Sequence, residues 1–554
     1  MMQRVLNFFS SRISGLHQAA YILGGFTLLS SLIAFVRDRL LAHTFGAGAE
    51  LDLYYAAFRI PDLIFVGVAS LVSAYVLIPA LASRREEDQR LYIDSIVAAF
   101  SVLIVFVATV AYIFTPQILR VAFPVFFEGG HFAELVLLTR IMLLQPIFLG
   151  FSNIAAAIVQ VQGRYVLYAT APVLYSIGII IGIVFLYPVL GLTGLSWGVV
   201  LGSMMHIGIL LPAVRKEGFM KSVPRAIDIR VCIETMKFSL PRALTLSMNQ
   251  VAIFVLIAIA GSLSAGSIAI FTFAFNLQSV PLAIIGASYS VAAFPVLARM
   301  LSVGARAEFI VQVTTAARHI MFWAFPAIAF AVVLRAHMVR VILGTGKFDW
   351  TDTRLTAAAF ALFIISLVAH ALLLLLVRAY YAAGKTLIPF IVHTAIAGGA
   401  ISLGYGFLNL YENLGFREAL ESALRVQGVL GTEVLVLPLA YTISSIVGLL
   451  ILVVLFEISF GGFTKGIART FWQGVISAGV GGAVSYVVLT TLGGITSATT
   501  LSIVFLHGLG AGLAGIVASV IVLWILKSRE LREIVRTTRE RYSWPTILSG
   551  EPES

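Results

Sequence analysis

The chain has 554 residues, of which 60% are hydrophobic and only 11% charged, well under the roughly 25% charged fraction of soluble globular chains. A soluble fold of this length could not hide so much apolar surface, so lipid is the solvent for most of it. The net charge of +11 would suggest nucleic acid in a soluble protein; here it reads as basic loops gathered on the cytoplasmic side of a membrane, with no nucleic-acid partner.

The apolar runs, such as Ile93 to Phe114 and Thr500 to Leu526, are long and unbroken. Barrel strands would alternate polar and apolar residues over about 10 positions. Helices satisfy their own backbone groups, as lipid demands, and a span needs about 20 apolar residues. The single cysteine, Cys232, excludes an internal disulfide framework.

Residues 1–17 lack a small-residue cleavage site after a short apolar core and read as a retained amphipathic segment lying on the membrane. Six spans follow at 18–41, 52–82, 92–115, 132–160, 165–187 and 192–213, making an N-lobe over 18–213. A basic linker occupies 214–237. The C-lobe, 238–457, carries spans at 238–262, 265–298, 308–334, 355–382, 386–410 and 433–457. Two more, at 468–491 and 500–526, lie in 458–526, ahead of a cytoplasmic tail at 527–554.

Basic residues set the orientation. Arg84, Arg85, Arg90, Arg164, Arg215, Lys216, Arg299, Arg306, Lys385, Lys465 and Arg469 all fall on one side. The loops 43–51, 188–191, 262–265 and 493–499 on the other side carry neither lysine nor arginine, though 335–354 is an exception. This places both termini in the cytoplasm.

The chain is internally duplicated. LDLYYAAFRIPDL (51–63) matches SIAIFTFAFNLQSVP (267–281), and IPALASR (78–84) matches FPVLARM (294–300). VQVQGRYVLYATAPVL (159–174) matches YYAAGKTLIPFIVHTA (380–395), with offsets near 217–221 residues. The fold expected is therefore an all-α polytopic membrane protein of about fourteen spans, built as two six-helix lobes in parallel repeat plus two C-terminal helices. Repeats of that kind place a cavity at their interface.

An ionisable residue within a span is expensive and marks function by default. Span 1 holds Arg37, Asp38 and Arg39, and span 2 holds Asp52, Arg59 and Asp62. Neighbours on a helix project about 100° apart, which suggests Arg37 facing a cavity and Asp38 facing a partner such as Arg59. The alternative has Arg37 snorkelling to the surface, as expected of Arg39. Pro61 follows Arg59 closely and would bend the helix beside a buried cation. In the second half the counterpart of Arg59 is Asn276, which with Gln278 and Ser279 could hydrogen-bond a head group without carrying charge. Arg242 either supplies the missing charge or anchors its helix at the interface. Arg318, His319 and Arg378 read as interfacial, and isolated histidines such as His206 and His370 as hydrogen-bonded core residues.

AGKT (383–386) imitates the end of a phosphate-binding loop, but the first glycine of that motif would fall at Ala379. LGTGK (343–347) also fails, lacking a first glycine and a Ser or Thr after Lys347. No catalytic constellation, metal set or cofactor motif is found, and any transport is driven by an ion gradient, membrane potential or substrate gradient, not by nucleotide hydrolysis in this chain. Gly178 with Gly182 reads as close helix packing.

FVRDRLLAHTFGAGAELDLYYAAFRIPDLIF (35–65) resembles the first two spans of the MurJ/MviN family, the lipid II flippases of the multidrug/oligosaccharidyl-lipid/polysaccharide exporter superfamily. The shared pattern comprises Arg37, Asp38, Gly46, Gly48, Asp52, Phe58, Arg59 and Pro61, and extends to GKFDWTDT (346–353) and YYAAGKTLIP (380–389). The resemblance implies two lobes around a cationic cavity, a C-terminal groove for a polyprenyl tail, and as cargo the undecaprenyl-diphosphate-linked glycan lipid II. It also implies membrane lipids and wall-synthesis proteins as partners, and a bacterial cytoplasmic membrane location. Arg37, Asp38, Asp52, Arg59, Asn276 and Arg242 would then line the cavity, with Gly46, Gly48 and Pro61 as hinge or gate. Where the family carries further arginines this chain has Ser31, Phe65 and Asn276, and Ser70 where it carries an acid. Competing readings are a flippase of another polyprenyl-linked glycan, a multidrug/ion antiporter of the same superfamily, and a non-transporting membrane scaffold.

Overall fold

The computed structural model describes residues 16–72, 77–78, 81, 84–220, 228–496 and 499–542. Most of the expected N-terminal amphipathic segment, the middle of the basic linker and the end of the tail lie outside these residues. Within them the chain is helical, with no strand.

The helices fall on the expected stretches. The first half contains α1 (Leu16–Phe45), α2 (in short segments from Ala49 to Val72), α3 (Glu86–Ala122), α4 (Phe132–Val161), α5 (Tyr165–Leu190) and α6 (Leu192–Lys216). The second contains α7 (Ile229–Gly261), α8 (Ser267–Ser302), α9 (Arg306–Val333), α10 (Trp350–Ala382, bent), α11 (Leu387–Tyr411) and α12 (Thr432–Phe460). α13 (Phe463–Leu492), α14 (Leu501–Ile525) and a tail helix α15 (Arg529–Tyr542) complete the chain. Among the described residues 11 helices are long and apolar enough to cross a membrane, or 12 if α10 counts as one span. The expected fourteen is not reached on that measure. α2 is divided into pieces too short to span alone.

α7 starts at Ile229, inside the stretch read as linker, because the Asp228 carboxylate accepts from the N–H groups of Arg230 and Val231 at 3.0 and 3.3 Å. Such a cap satisfies donors that open a helix.

The contacts divide the chain into two compact units. The first takes in residues up to Phe273, with Ile342–Thr356 and Thr386–Ser444. Here α5 and α6 meet through glycine: a Cβ on Gly178 would lie 2.2 Å from the Gly202 Cα, and one on Gly182 2.6 Å from that of Gly198. Small residues let helix backbones approach where lipid gives no hydrophobic drive. α7 packs along α11, and its Tyr441 partner on α12 donates to Asn249 at 3.2 Å.

The second unit holds Ala274–Val341, Ala357–Lys385 and Ser445–Ser554. α13 packs on α9 and on α14. The α13–α14 contact is fastened by serines: Ser477 donates to the Ser519 carbonyl at 3.2 Å, Ser519 returns a bond to Ser477 at 3.1 Å, and Ser485 donates to Ala511 at 2.8 Å. The tail is ordered through Glu530, whose carboxylate accepts from Arg318 on α9 at 2.7 Å, Thr470 on α13 at 3.0 Å and Ser528 at 2.8 Å. Arg318, read as interfacial, is thus tied to the tail.

The repeat is visible in the backbone. α2 contains a π-helical stretch at Phe65–Ala69, and α8 contains one at Leu282–Ala287, which starts 217 residues further on. π stretches are rare insertions, and their recurrence at the repeat offset supports the duplication.

Candidate functional site

The site is built at a break in α2. Pro61 has no N–H to give the Ala57 carbonyl. The helix stops at Ala57, turns at Phe58, resumes over Arg59–Ile64 and passes into the π stretch. The break puts Arg59 Nε on the Tyr55 carbonyl at 2.9 Å and its Nη2 3.9 Å from Asp62 Oδ2. On α1, Arg37 places Nε and Nη2 on Asp38 Oδ1 at 2.9 and 2.8 Å. The Tyr54 and Tyr55 rings lie 5.5 Å apart on the same helix, and Gln145 on α4 donates to the hydroxyl of Tyr175 on α5 at 3.2 Å.

The pairing differs from the expected one. Asp38 is held by its neighbour Arg37, not by Arg59, because the long arginine side chain closes the angular gap between adjacent helix positions. Arg59 is answered by Asp62 one turn on. Two arginines and two aspartates make the cluster formally neutral. Burying charge is tolerable when each ion is paired and hydrogen-bonded. Exposure differs within the pairs: the side chains of Arg37 and Asp62 are 19% and 27% exposed, while those of Asp38 and Arg59 are 5% and 9% exposed. Arg37 and Asp62 are thus the members a ligand can reach.

Asp52 does not join this cluster. Its carboxylate accepts from the Gly266 N–H at 2.6 Å and the Ala269 N–H at 2.8 Å, capping the start of α8. It sits in a latch with Gly46, Gly48 and the 342–352 segment. Gly46 has φ +66°, and a Cβ there would lie 2.7 Å from the Lys347 carbonyl oxygen. Gly346 has φ +61°, and a Cβ there would lie 2.3 Å from the His43 carbonyl oxygen. Lys347 N–H donates to that carbonyl at 3.0 Å, and Ala47 N–H donates to Asp352 at 3.0 Å. Gly48 begins α2. Asp352 and Gly346 were hidden in the stretch GKFDWTDT, whose role the sequence left open. Gln145, Tyr55 and Tyr175 gave no signal, being polar or aromatic residues scattered on apolar helices.

The second half carries no matching ion pair at this position. Gln278 is buried and donates to the Phe363 carbonyl and Ser366 hydroxyl, both at 2.8 Å. These groups lie at the 42° bend of α10, where the helix is interrupted at Ser366. Ser279 donates to the Asn276 carbonyl at 2.6 Å. Gln278 is therefore spent on the fold and unavailable to a head group. Asn276 on α8 and Arg242 on α7 are both half-buried. Arg378 is not a surface anchor; it donates to Ser290 and to the Ala287 carbonyl at the end of the π stretch. His206 bonds Ser152 at 2.6 Å and His370 bonds Ser366 and Ser445, as core histidines would.

The sequence model described as lipid II flippase MurJ matches residues 41–506. The chain belongs to the MurJ family. It is 25% identical over 378 residues to a lipid II flippase MurJ of Burkholderia cenocepacia, covering 66% of this chain and 73% of that one. It is 24% identical over 421 residues to a probable lipid II flippase MurJ of Haemophilus influenzae, covering 72% and 82%. In fold it is similar to a solved lipid II flippase MurJ in an inward closed conformation, with TM-score 0.70, 19% identity and coverage of 91% and 99%. It also resembles an inward-facing multidrug MATE transporter of the MOP superfamily, with TM-score 0.60, 14% identity and coverage of 81% and 98%. Arg59, Asp62 and the latch lie inside the matched region, and Arg37 and Asp38 just before it; MurJ membership makes this chain a multi-pass bacterial membrane protein.

Proposed function

We propose that this chain moves lipid II from the inner to the outer leaflet of the cytoplasmic membrane by alternating access, with the Arg37–Asp38 and Arg59–Asp62 cluster as the head-group site. The family match over 41–506, which contains the break in α2, carries this reading. A diphosphate suits the planar fork of arginine. Arg37 is half-free on one side and exchanges its contact with Asp38 for phosphate oxygens as the head group enters. Arg59, held by Tyr55 and Asp62, supplies fixed positive charge behind it. Asp38 and Asp62 keep the arginines paired while no cargo is present. Arg242 adds charge from α7, where Asn276 offers none.

Both termini are cytoplasmic on this reading, which puts the latch on the outer side. The latch is then the outer gate and the turn at Phe58 with Pro61 the hinge. The lobes 18–213 and 238–457 rock about the site, and the polyprenyl tail stays in lipid beside α13 and α14. An ion gradient or the membrane potential drives the cycle, and wall-synthesis proteins receive the product. The test is complementation of a flippase-depleted bacterium. The unmutated chain is expected to restore growth, while Arg37→Ala and Arg59→Ala still insert, Arg59→Ala at lower yield, and fail. Full rescue by both variants sinks the site, and failure of the unmutated chain sinks the cargo.

A further inference from the structure

A further arginine within a span lies away from the cluster. Arg140 is eight residues into α4 from Phe132, about 12 Å along a 30-residue span that outruns a hydrocarbon layer of about 30 Å, so its long side chain reaches the outer headgroup level. Its Nε donates to the Tyr112 carbonyl on α3 at 3.2 Å, and its guanidinium carbon stands 4.4 Å from the centre of the Tyr112 ring. That carbonyl is available because Pro116, one turn on, has no N–H for it. Among the described residues no carboxylate pairs with Arg140; the acid on the same helix, Glu134, faces His131 at 3.9 Å. A glutamine could give the one donor the carbonyl needs. A guanidinium brings five donors and a charge, more than that carbonyl uses.

The arginine sits in a groove of about 660 Å³, lined by Ala108, Tyr112, Ala133, Leu137, Ile147 and Trp197. Tyr112, Leu137 and Trp197 are all exposed, so the groove opens sideways to lipid.

We propose that this groove binds one phospholipid, with an acyl chain along its apolar floor and the phosphate on the outer nitrogens of Arg140. The occupant is a lipid and not free phosphate, because the floor is apolar and the opening faces the bilayer. Charge complementarity fixes the headgroup: a phosphate is the anion that membrane lipid supplies to an arginine. Tyr112 and Trp197 flank the headgroup level, where amphipathic rings settle. On the orientation proposed above, the lipid belongs to the outer leaflet, on the face of α3, α4 and α6.

The full chain, purified in detergent, is titrated with phosphatidylglycerol and with diacylglycerol, and bound lipid is counted by native mass spectrometry. One phosphatidylglycerol is expected to bind in preference to diacylglycerol. Arg140→Gln, which keeps a donor for Tyr112, is expected to weaken it about tenfold, the size of a lost charge-assisted bond. Arg140→Lys keeps part of the affinity. Ala133→Trp fills the groove, leaves Arg140 in place and abolishes binding. Thermal melting checks that each variant is folded. Equal binding of diacylglycerol, displacement by inorganic phosphate alone, or unchanged binding in folded Arg140→Gln overturns the proposal.

Discussion

α2 and α8 are the same helix written twice and loaded differently. Each passes through a π stretch, at Phe65–Ala69 and at Leu282–Ala287. Just before it, α2 carries Arg59 and Asp62, while α8 carries Asn276 and Gln278. In α2 the polar side chains pair as ions with partly exposed edges. In α8 the buried Gln278 is turned onto the broken backbone of α10. The two helices thus share this backbone deformation, while only α2 carries the charge. A duplicated fold can keep its mechanics in both halves while concentrating its chemistry in one.

The largest effect should come from separating charge from backbone in α2. Arg59→Ala leaves Asp62 without its cation, and breaking a buried pair costs about 3–5 kcal/mol. The double variant Arg59→Ala/Asp62→Ala is expected to recover yield and melting temperature but not complementation. If the double variant complements, the charges serve stability and the contrast with α8 disappears.

Next comes the latch that joins the heads of the two helices. Asp52→Ala removes acceptors for Gly266 and Ala269, at about 1–3 kcal/mol. Gly46→Ala is strained at φ +66° as well as crowded against Lys347. Both variants are expected to raise thiol labelling of a cysteine placed at Ala47. Unchanged labelling would show that the latch does not hold the α1–α2 loop closed.

A smaller effect is expected in α8. Gln278→Leu leaves the Phe363 carbonyl and Ser366 hydroxyl without its amide, again about 1–3 kcal/mol, seen as a lower melting temperature. Transport per folded molecule should persist. Loss of transport at full stability would give α8 a cargo role after all.

The smallest is a control outside both helices. Burial alone would raise the Glu530 carboxyl, but bonds from Arg318, Ser528 and Thr470 outweigh it and hold it at about 2 instead of 4.5. A depressed carboxylate adds stability that is complete above its ordinary value and fades as pH falls through the folded one. Between pH 4.5 and 2 the unmutated chain should therefore lose more melting temperature than Glu530→Gln. Equal losses would show that the tail contact adds nothing.

Much of this was legible in the sequence. Long apolar runs gave the helices, because lipid forces every backbone group into internal bonds. Arg37, Asp38, Arg59 and Pro61 stood out because charge and proline are conspicuous in such runs. Their partners were harder to read. Asp38 meets Arg37 through side-chain reach, which angular spacing on a helix ignores. Asp52 looked like a cavity acid, but its role depends on the amides of Gly266 and Ala269, more than 200 residues away. The bend of α10 has no proline to announce it; Ser366 and Gln278 show it only once folded. Arg140 lies inside an apolar stretch, and nothing in the pattern ties it to the carbonyl that Pro116 frees.

The neutrality of the α1–α2 cluster has an electrical consequence. Two arginines cancelled by two aspartates return empty across the membrane field without doing work. Once a diphosphate is bound, the loaded cluster carries the charge of its cargo. With the cell interior negative, an anion moving outward runs downhill by about 2.3 kcal/mol per charge for each 100 mV. On the proposed function, the same pairing that makes the buried charges tolerable also makes the loaded stroke, and not the return, the voltage-driven one.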